Sequence, residues 1–344
     1  MTGTAAPTPA PALLTTGFVV DAAGEGTIYP SAGGNSADRR VQAVYWRCLL
    51  VLFTSARITN PELRLALYTN VAPPVVDGVH IAARLADLGV ELRLRPLTRR
   101  MPAGRVASWG NVLYFFDITD DLAGEDPALR FAIVDSDILV ARSIAPLFAM
   151  LDAAEFVAYD VDTRPDVTVN GLSRNEMTEV AREVLGYAGE QPVLHLGGEF
   201  LAATVGAWQQ RGAAFARLFA LGEAGAGVAG RISTEEHIYS IALAANPGPV
   251  ALANGMLRRI WTSPRHNTAR NGDTDHALWH LPAEKRYGFA DLFADIAAGR
   301  IDAATSPEDL RRRAALRMGL PAKTLNKILL DGVRQIAAKL GRRR

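Results

Sequence analysis

Two aspartates, Asp135 and Asp137, interrupt the apolar stretch "LRFAIVDSDILVARSIAPLF" at residues 129–148. Ionised carboxylates at the end of a buried strand are costly unless a cation or a set of donors meets them. In an extended chain, side chains at i and i+2 point to the same side. Two carboxylates so placed can hold a hard divalent ion, Mg²⁺ or Mn²⁺, and leave coordination positions open for phosphate oxygens. A metal so placed would neutralise a diphosphate leaving group as it departs. The plainer alternative is that one aspartate caps the following turn and the other is solvated; the position directly after "FAIV" favours the metal.

The elements that must position this pair are legible around it. "TGFVVDAAG" (16–24) reads as a strand ending in Asp21, and "SADRRVQAVYWRCLLVLFTSA" has helical periodicity. "LRLALYTNV" is a second strand, "DGVHIAARLADLG" a helix closed by glycine, "VELRLRPL" a third strand, "SWGNVLYFFDI" a helix, and "RFAIVD" a fourth, fully apolar strand that delivers Asp135. Strands alternating with helices predict an α/β fold, a mainly parallel sheet with helices on both faces. In such sheets the carboxyl ends of the strands form the ligand crevice.

Further along, "FVAYDVD" reads as a strand, and "SRNEMTEVAREVLGYAG" as a helix opened by a capping box of Ser173 and Glu176 and closed near Gly186. "HLGGEFLAA" is a strand in which Gly197 and Gly198 leave room for a ligand or another backbone, with Glu199 next to them; a β-bulge with a surface glutamate is the competing reading. "STEEHIYSIALAA" begins a helix capped by Ser233 or Thr234, with Glu235 and Glu236 in its first turn, where acids also favour the macrodipole. "PVALANGMLRRIW" and "HALWHLP" are late strands, and His195, Glu199 and His237 form an alternative polar grouping.

At 344 residues, 49% hydrophobic and 21% charged, the chain has ample material for a buried core. The single cysteine, Cys48, excludes an intrachain disulfide, suits a reducing compartment and reads as a buried structural thiol. Residues 1–15 read as a disordered leader with no secretory signal pattern, and no apolar run reaches the ~20 residues a spanning helix needs. The expected location is therefore cytoplasmic. Net charge is +1, yet residues 311–344 carry eleven Lys or Arg against one acid, Asp331. There "LPAKTLNKILLDGVRQIAAKLGRRR" sets Leu325, Ile328, Leu329, Val333, Ile336 and Leu340 on one helical stripe. Residues 320–344 can lie at the inner membrane surface as a peripheral contact, or pack on the domain with a solvated basic tail. Nucleic acid is not an expected partner, because the aromatic interleaving of single-strand binders is missing.

The run "SWGNVLYFFDITDDLAGEDPALRFAIVDSDILVARSIAPLF" resembles the nucleotide-sugar segment of GT-A glycosyltransferases, family 8 in particular. That resemblance implies a Rossmann-like GT-A domain over residues 16–300 with a basic helical extension at 301–344. It also implies transfer of a sugar, with retention, from a UDP- or GDP-sugar to a glycan or glycolipid acceptor. Asp135 would contact the donor ribose or metal and Asp137 the metal, Mn²⁺ or Mg²⁺. Val19, Val20 and Asp21 would cradle the base and ribose, and Gly197 and Gly198 would admit the sugar. Glu199, Glu235 and Glu236 are the implied catalytic carboxylates. "ALWHLPAEKRYGF" is similar to the family's ending, implying His280 as third metal ligand, with His276 as its alternative, and Lys285 with Arg286 as diphosphate contacts. The family's donor-contacting arginine is replaced by Tyr114, Phe115 and Phe116, with Arg105 as the substitute. Two rival readings differ in class: a non-catalytic, membrane-associated protein with a degenerate GT-A fold, and an aspartate-nucleophile phosphohydrolase. The latter motif generally opens its domain and carries Thr or Val where Leu139 stands here.

Overall fold

A computed structural model describes residues 11–102, 104, 108–245 and 248–340, the side chains of 335–340 excepted. Ten main strands and ten helices follow in chain order: β1 (Ala12–Phe18), α1 (Arg39–Thr59), β2 (Arg64–Thr69), α2 (Ile81–Asp87), β3 (Val90–Leu94), α3 (Tyr114–Leu122), β4 (Arg130–Val134), β5 (Ile138–Val140), α4 (Ala145–Ala149), β6 (Phe156–Asp160), α5 (Arg174–Leu185), β7 (Leu196–Thr204), α6 (Val205–Ala224), α7 (Glu235–Ala244), β8 (Val250–Leu252), β9 (Leu257–Arg259), β10 (Leu278–His280), α8 (Gly288–Ala297), α9 (Pro307–Met318) and α10 (Leu325–Leu340).

Seven strands form one sheet in the order β8-β6-β7-β4-β1-β2-β3. β3, β2, β1 and β4 run parallel, β8 is parallel to β6, and β7 is antiparallel to both its neighbours. The α/β class with a mainly parallel sheet and helices on both faces is thus what the chain adopts. Strand alternation explains the two cores. Leu14, Ala132, Val134 and Phe200 pack on one face with α1, α8 and α9, while Leu13, Phe131, Ile133 and Leu201 pack on the other with α3, α6 and α7. Strands so enclosed must be apolar along their whole length, as "FAIV" is.

The chain steps outward from β1 through β2 to β3 and then returns to the opposite side of β1 as β4. The reversal between β1 and β4 opens a crevice at their carboxyl ends. Immediately beyond β4, the chain leaves the large sheet for a smaller one of order β9-β10-β5. Asp135, Ser136 and Asp137 are the link between the two sheets.

Several boundaries differ from the sequence reading. β1 starts at Ala12, so residues 12–15 of the expected leader form a central strand, with Leu13 and Leu14 fully buried; residues 1–10 lie outside the described residues. The strand also ends at Phe18, leaving Val19, Val20 and Asp21 on the connection after it. α3 begins at Tyr114, six residues beyond the expected start. The capping box of Ser173 and Glu176 is present, and α5 ends at Gly186 in the left-handed conformation glycine favours. Beyond residue 300, Ile301, Leu310, Ala314 and Met318 enter the same core as α1 and α8.

α10 docks in the reverse of the usual sense. Lys327 is buried against Glu284 at 2.8 Å, Lys323 reaches Glu284 at 2.9 Å, and Arg334 meets Asp291 at 2.6 Å. Leu325, Ile328, Leu329, Leu330 and Val333 face outward and are exposed; the side chains of Ile336 and Leu340 lie outside the described residues. No helix among the described residues is long and apolar enough to cross a membrane.

Candidate active site

The link between the sheets is fixed by backbone bonds from both sides. The Asp135 N–H donates to the carbonyl of Glu199 at 3.0 Å, and the Leu281 N–H donates to the carbonyl of Asp137 at 3.1 Å. His280 pairs with Ile138 across β10 and β5, which brings its ring beside the two aspartates. Its Nε2 lies 3.2 Å from Asp137 Oδ2 and 3.5 Å from Asp135 Oδ2. One ligand atom from each of Asp135, Asp137 and His280 falls within 4.8 Å of the others. His276 is not part of this grouping; its Nδ1 contacts the Asp273 carbonyl at 3.2 Å.

Lys285 follows in the turn after β10 and donates from Nζ to Asp137 Oδ2, with the ammonium 5.6 Å from the centre of the Tyr45 ring. Asp137 keeps 2% of its side chain exposed, whereas Asp135 keeps 49% open to the crevice. Burial alone would raise the Asp137 carboxyl, but Lys285 and His280 outweigh it and hold the group well below the usual carboxylate range. For Asp135, partial desolvation in the crevice and then the charge of Asp137 act in the same direction and push the carboxyl up. His280, which burial would depress, is raised to about 9 by Asp137 and then Glu199. It therefore carries a proton at neutral pH that a cation bound at Nε2 must displace. Two carboxylate oxygens and one imidazole around a common point could hold a divalent cation, and the neighbouring lysine could meet phosphate.

The crevice encloses about 350 Å³, within the span of small-ligand sites, and is lined among others by Thr16, Val19, Tyr29, Trp109, Asn111 and Trp261. Glu235 and Glu236, adjacent in the first turn of α7, reach it in opposite states. Burial and then the charge of Glu236 push the Glu235 carboxyl well above 4.5. Glu236 is held down to about 2, because His195, His237 and Asn170 outweigh its burial. Paired carboxyls driven apart in this way are how a site keeps an acid and a base together at one pH. Glu235 Oε2 and Thr234 Oγ1 are buried at the crevice wall with no hydrogen-bond partner among the described residues. Thr234 is the N-cap residue by position and makes no capping bond.

Glu199 has both oxygens engaged. Arg259 Nε donates to Oε1 at 2.6 Å and Nη2 donates to Oε2, while His280 Nδ1 lies 3.3 Å from Oε1. The paired glycines serve these carboxylates. A Cβ on Gly197 would stand 2.0 Å from Glu199 Oε2, and one on Gly198 would stand 2.3 Å from Glu235 Oε1. β7 does bulge here, its pairing with β6 shifting between Ala158 and Asp160, but Glu199 points inward.

Other expected residues lie elsewhere. Val19 lines the crevice, but Val20 is tied through its backbone to Asn70, and buried Asp21 pairs with Ser36 and with Arg100 at 2.9 Å. Arg286 is half-buried outside the lining. Tyr114 and Phe115 line the crevice, Phe116 packs in the core, and Arg105 lies outside the described residues. His195 and His237 gather around Glu236, not Glu199. Sequence reading missed Arg259, Asn170 and Trp261. The adjacent arginines of "LRRIW" carried a signal, since strand alternation sends Arg258 to Asp273 at 3.4 Å and Arg259 to the opposite side.

No protein-family model matches the chain, and no curated protein sequence matches it. Among solved structures, the chain is similar to mouse xyloside xylosyltransferase 1 in its apo form, with a TM-score of 0.47 and 13% identity over 78% of this chain and 96% of that one. An active-site mutant of LgtC gives 0.47 at 12% identity, covering 88% and 99% of the two chains. The galactosyltransferase LgtC in complex with donor and acceptor sugar analogs gives 0.46 at 13% identity with the same coverage.

Proposed function

We propose that the protein is a GT-A glycosyltransferase that moves a sugar from a UDP- or GDP-sugar to a glycan or glycolipid acceptor with retention at the anomeric carbon. The observation that carries this reading is the meeting of Asp135, Asp137, His280 and Lys285 at the carboxyl end of β4, facing a crevice of ligand size. Two buried polar atoms at its wall, Thr234 Oγ1 and Glu235 Oε2, are what the hydroxyls of a sugar would satisfy. The likeness of the Asp-Ser-Asp run and of the His280 to Lys285 ending to family 8 adds support.

Asp135, Asp137 and His280 would hold Mn²⁺ or Mg²⁺, which when bound would neutralise the charge gathering on the diphosphate. Lys285 adds a point charge for the phosphate oxygens. Glu236, kept ionised, would stabilise the cationic character of the sugar at the transition state. Glu235, kept neutral, would donate its proton in a hydrogen bond to a sugar hydroxyl. The test is a screen of UDP- and GDP-sugars with Mn²⁺ and Mg²⁺, followed by ¹H NMR of the anomeric proton. The expected result is metal-dependent consumption of one donor with retained configuration. Neither turnover nor nucleotide binding with any donor and metal would leave a non-catalytic protein. Phosphatase activity lost in Asp135→Asn would favour the hydrolase.

A glycolipid acceptor on a cytoplasmic membrane face is supported by the exposed apolar residues of α10, together with the basic sequence "GRRR" that follows it in the chain. Sedimentation with anionic liposomes checks this. Replacing Leu325, Leu329 and Val333 by serine, which spares the Lys327 anchor, should abolish pelleting; unchanged pelleting would rule out that contact.

A further inference from the structure

The catalytic carboxylate that the motif suggested at Glu199 has a different geometry from a group awaiting substrate. Its side chain is fully buried, and Arg259 grips it in a fork through two nitrogens, the planar match of guanidinium and carboxylate. Arg259 is itself fixed by its place on β9, directly opposite His280 on β10. Gly197 leaves room for this clamp, because a Cβ there would stand 2.0 Å from Glu199 Oε2 and 2.9 Å from Arg259 Nη2 and would force them to shift. The bulge in β7, the glycine and the arginine therefore all serve to hold one carboxylate in one orientation.

That orientation faces the ring of His280. An ionised carboxylate can only accept a hydrogen bond, so the contact from His280 Nδ1 to Glu199 Oε1 at 3.3 Å requires the proton on Nδ1. The other ring nitrogen, Nε2, is the one aimed at Asp135 and Asp137. A ligating histidine whose second nitrogen donates to a carboxylate is fixed in both tautomer and ring angle.

We propose that Glu199, clamped by Arg259, is the positioning residue that fixes His280 with Nδ1 protonated and Nε2 presented to the cation held by Asp135 and Asp137. The assignment rests on the metal reading made above, and it takes Glu199 out of direct contact with the sugar. Arg259 neutralises the buried carboxylate so that its charge is spent on orientation, and the pair links β7, β9 and β10 at the floor of the crevice.

Three substitutions in the full chain, each assayed with Mn²⁺ alone, test this. Glu199→Leu removes the acceptor, Glu199→Gln keeps an oxygen that can accept from Nδ1, and Glu199→Asp keeps the charge against Arg259 but withdraws it from the ring by one methylene. Mn²⁺ affinity is read by electron paramagnetic resonance of the free ion, and coordination by the hyperfine coupling of bound Mn²⁺ to ¹⁵N-labelled histidine. The expected result is about a 10–100-fold loss of affinity with loss of the nitrogen coupling in Glu199→Leu, with Glu199→Gln retaining both more closely. Where Glu199→Leu does not fold, Glu199→Asp decides: a folded variant with weakened affinity and coupling supports positioning. A folded variant with wild-type affinity and coupling would make Glu199 a mere counter-ion of Arg259 and overturn the assignment. Absence of any Mn²⁺ binding in the wild type would instead remove the metal reading beneath it, and this assignment with it.

Discussion

His280 Nε2 stands 3.2 Å from Asp137 Oδ2, and the next residue, Leu281, is also tied to Asp137, its N–H donating to the Asp137 carbonyl at 3.1 Å. The pairing of His280 with Ile138 and the Leu281 bond thus bring the two side chains together, and their mutual attraction adds to that placement. Such a preorganised group binds a cation without first paying to order its ligands.

Mn²⁺ at a hundred times its dissociation constant should stabilise the folded chain by about 2.7 kcal/mol, an effect reversed by EDTA. His280→Gln, which removes a ligand and not merely its support, should need more than about 10–100 times as much metal for the same rise in melting temperature. A melting temperature insensitive to Mn²⁺ in both proteins would contradict the ligand set.

Glu235 makes stability depend on pH. Its carboxyl lies well above 4.5 in the folded chain, so above that value the unfolded chain sheds a proton that the folded chain keeps. This contribution is fully present below 4.5 and is lost as pH rises towards the raised value, at about 1.4 kcal/mol per pH unit. Glu235→Gln should be the more stable protein at pH 7 and lose that advantage near pH 4, read from urea midpoints. Parallel curves for the two proteins would refute it.

Gly198→Ala sets a Cβ against the Glu235 carboxyl and should cost about 1–3 kcal/mol. Gly212→Ala, on an exposed position of α6 with nothing near the added atom, should stabilise by about 0.5–1 kcal/mol. Chemical denaturation of the two variants should give shifts of opposite sign.

Lys327→Ala should lower stability by about 1–3 kcal/mol, because Glu284 is fully buried and loses one of its two lysines. Replacing Lys323 as well should cost more than the two single losses together, since the second change leaves a buried charge with no cation. Additive thermal shifts would show that the two lysines act independently, and no shift from Lys327→Ala would show that α10 is not held by this network.

The parts of the site legible in the sequence were those written as local pattern. Asp135 and Asp137 stood out because an apolar strand ran directly into them, and α5 because its cap residues are three apart. Arg259 was hidden because its partner lies on a strand paired in the other sheet, so only the three-dimensional register makes them neighbours. The antiparallel direction of β7 was equally hidden, since a doubly covered strand is apolar whichever way it runs. Gly197 and Gly198 were noticed for the space they leave, but what fills it, the carboxylates of Glu199 and Glu235, depends on side chains from β7 and α7.

The most direct test of the central claim is calorimetric titration of UDP and GDP into the protein with Mn²⁺ present, for the wild type and for Asp137→Ala. The account predicts nucleotide binding that requires the metal in the wild type and is abolished by the substitution. Binding of equal strength in both proteins, or binding indifferent to Mn²⁺, would contradict it.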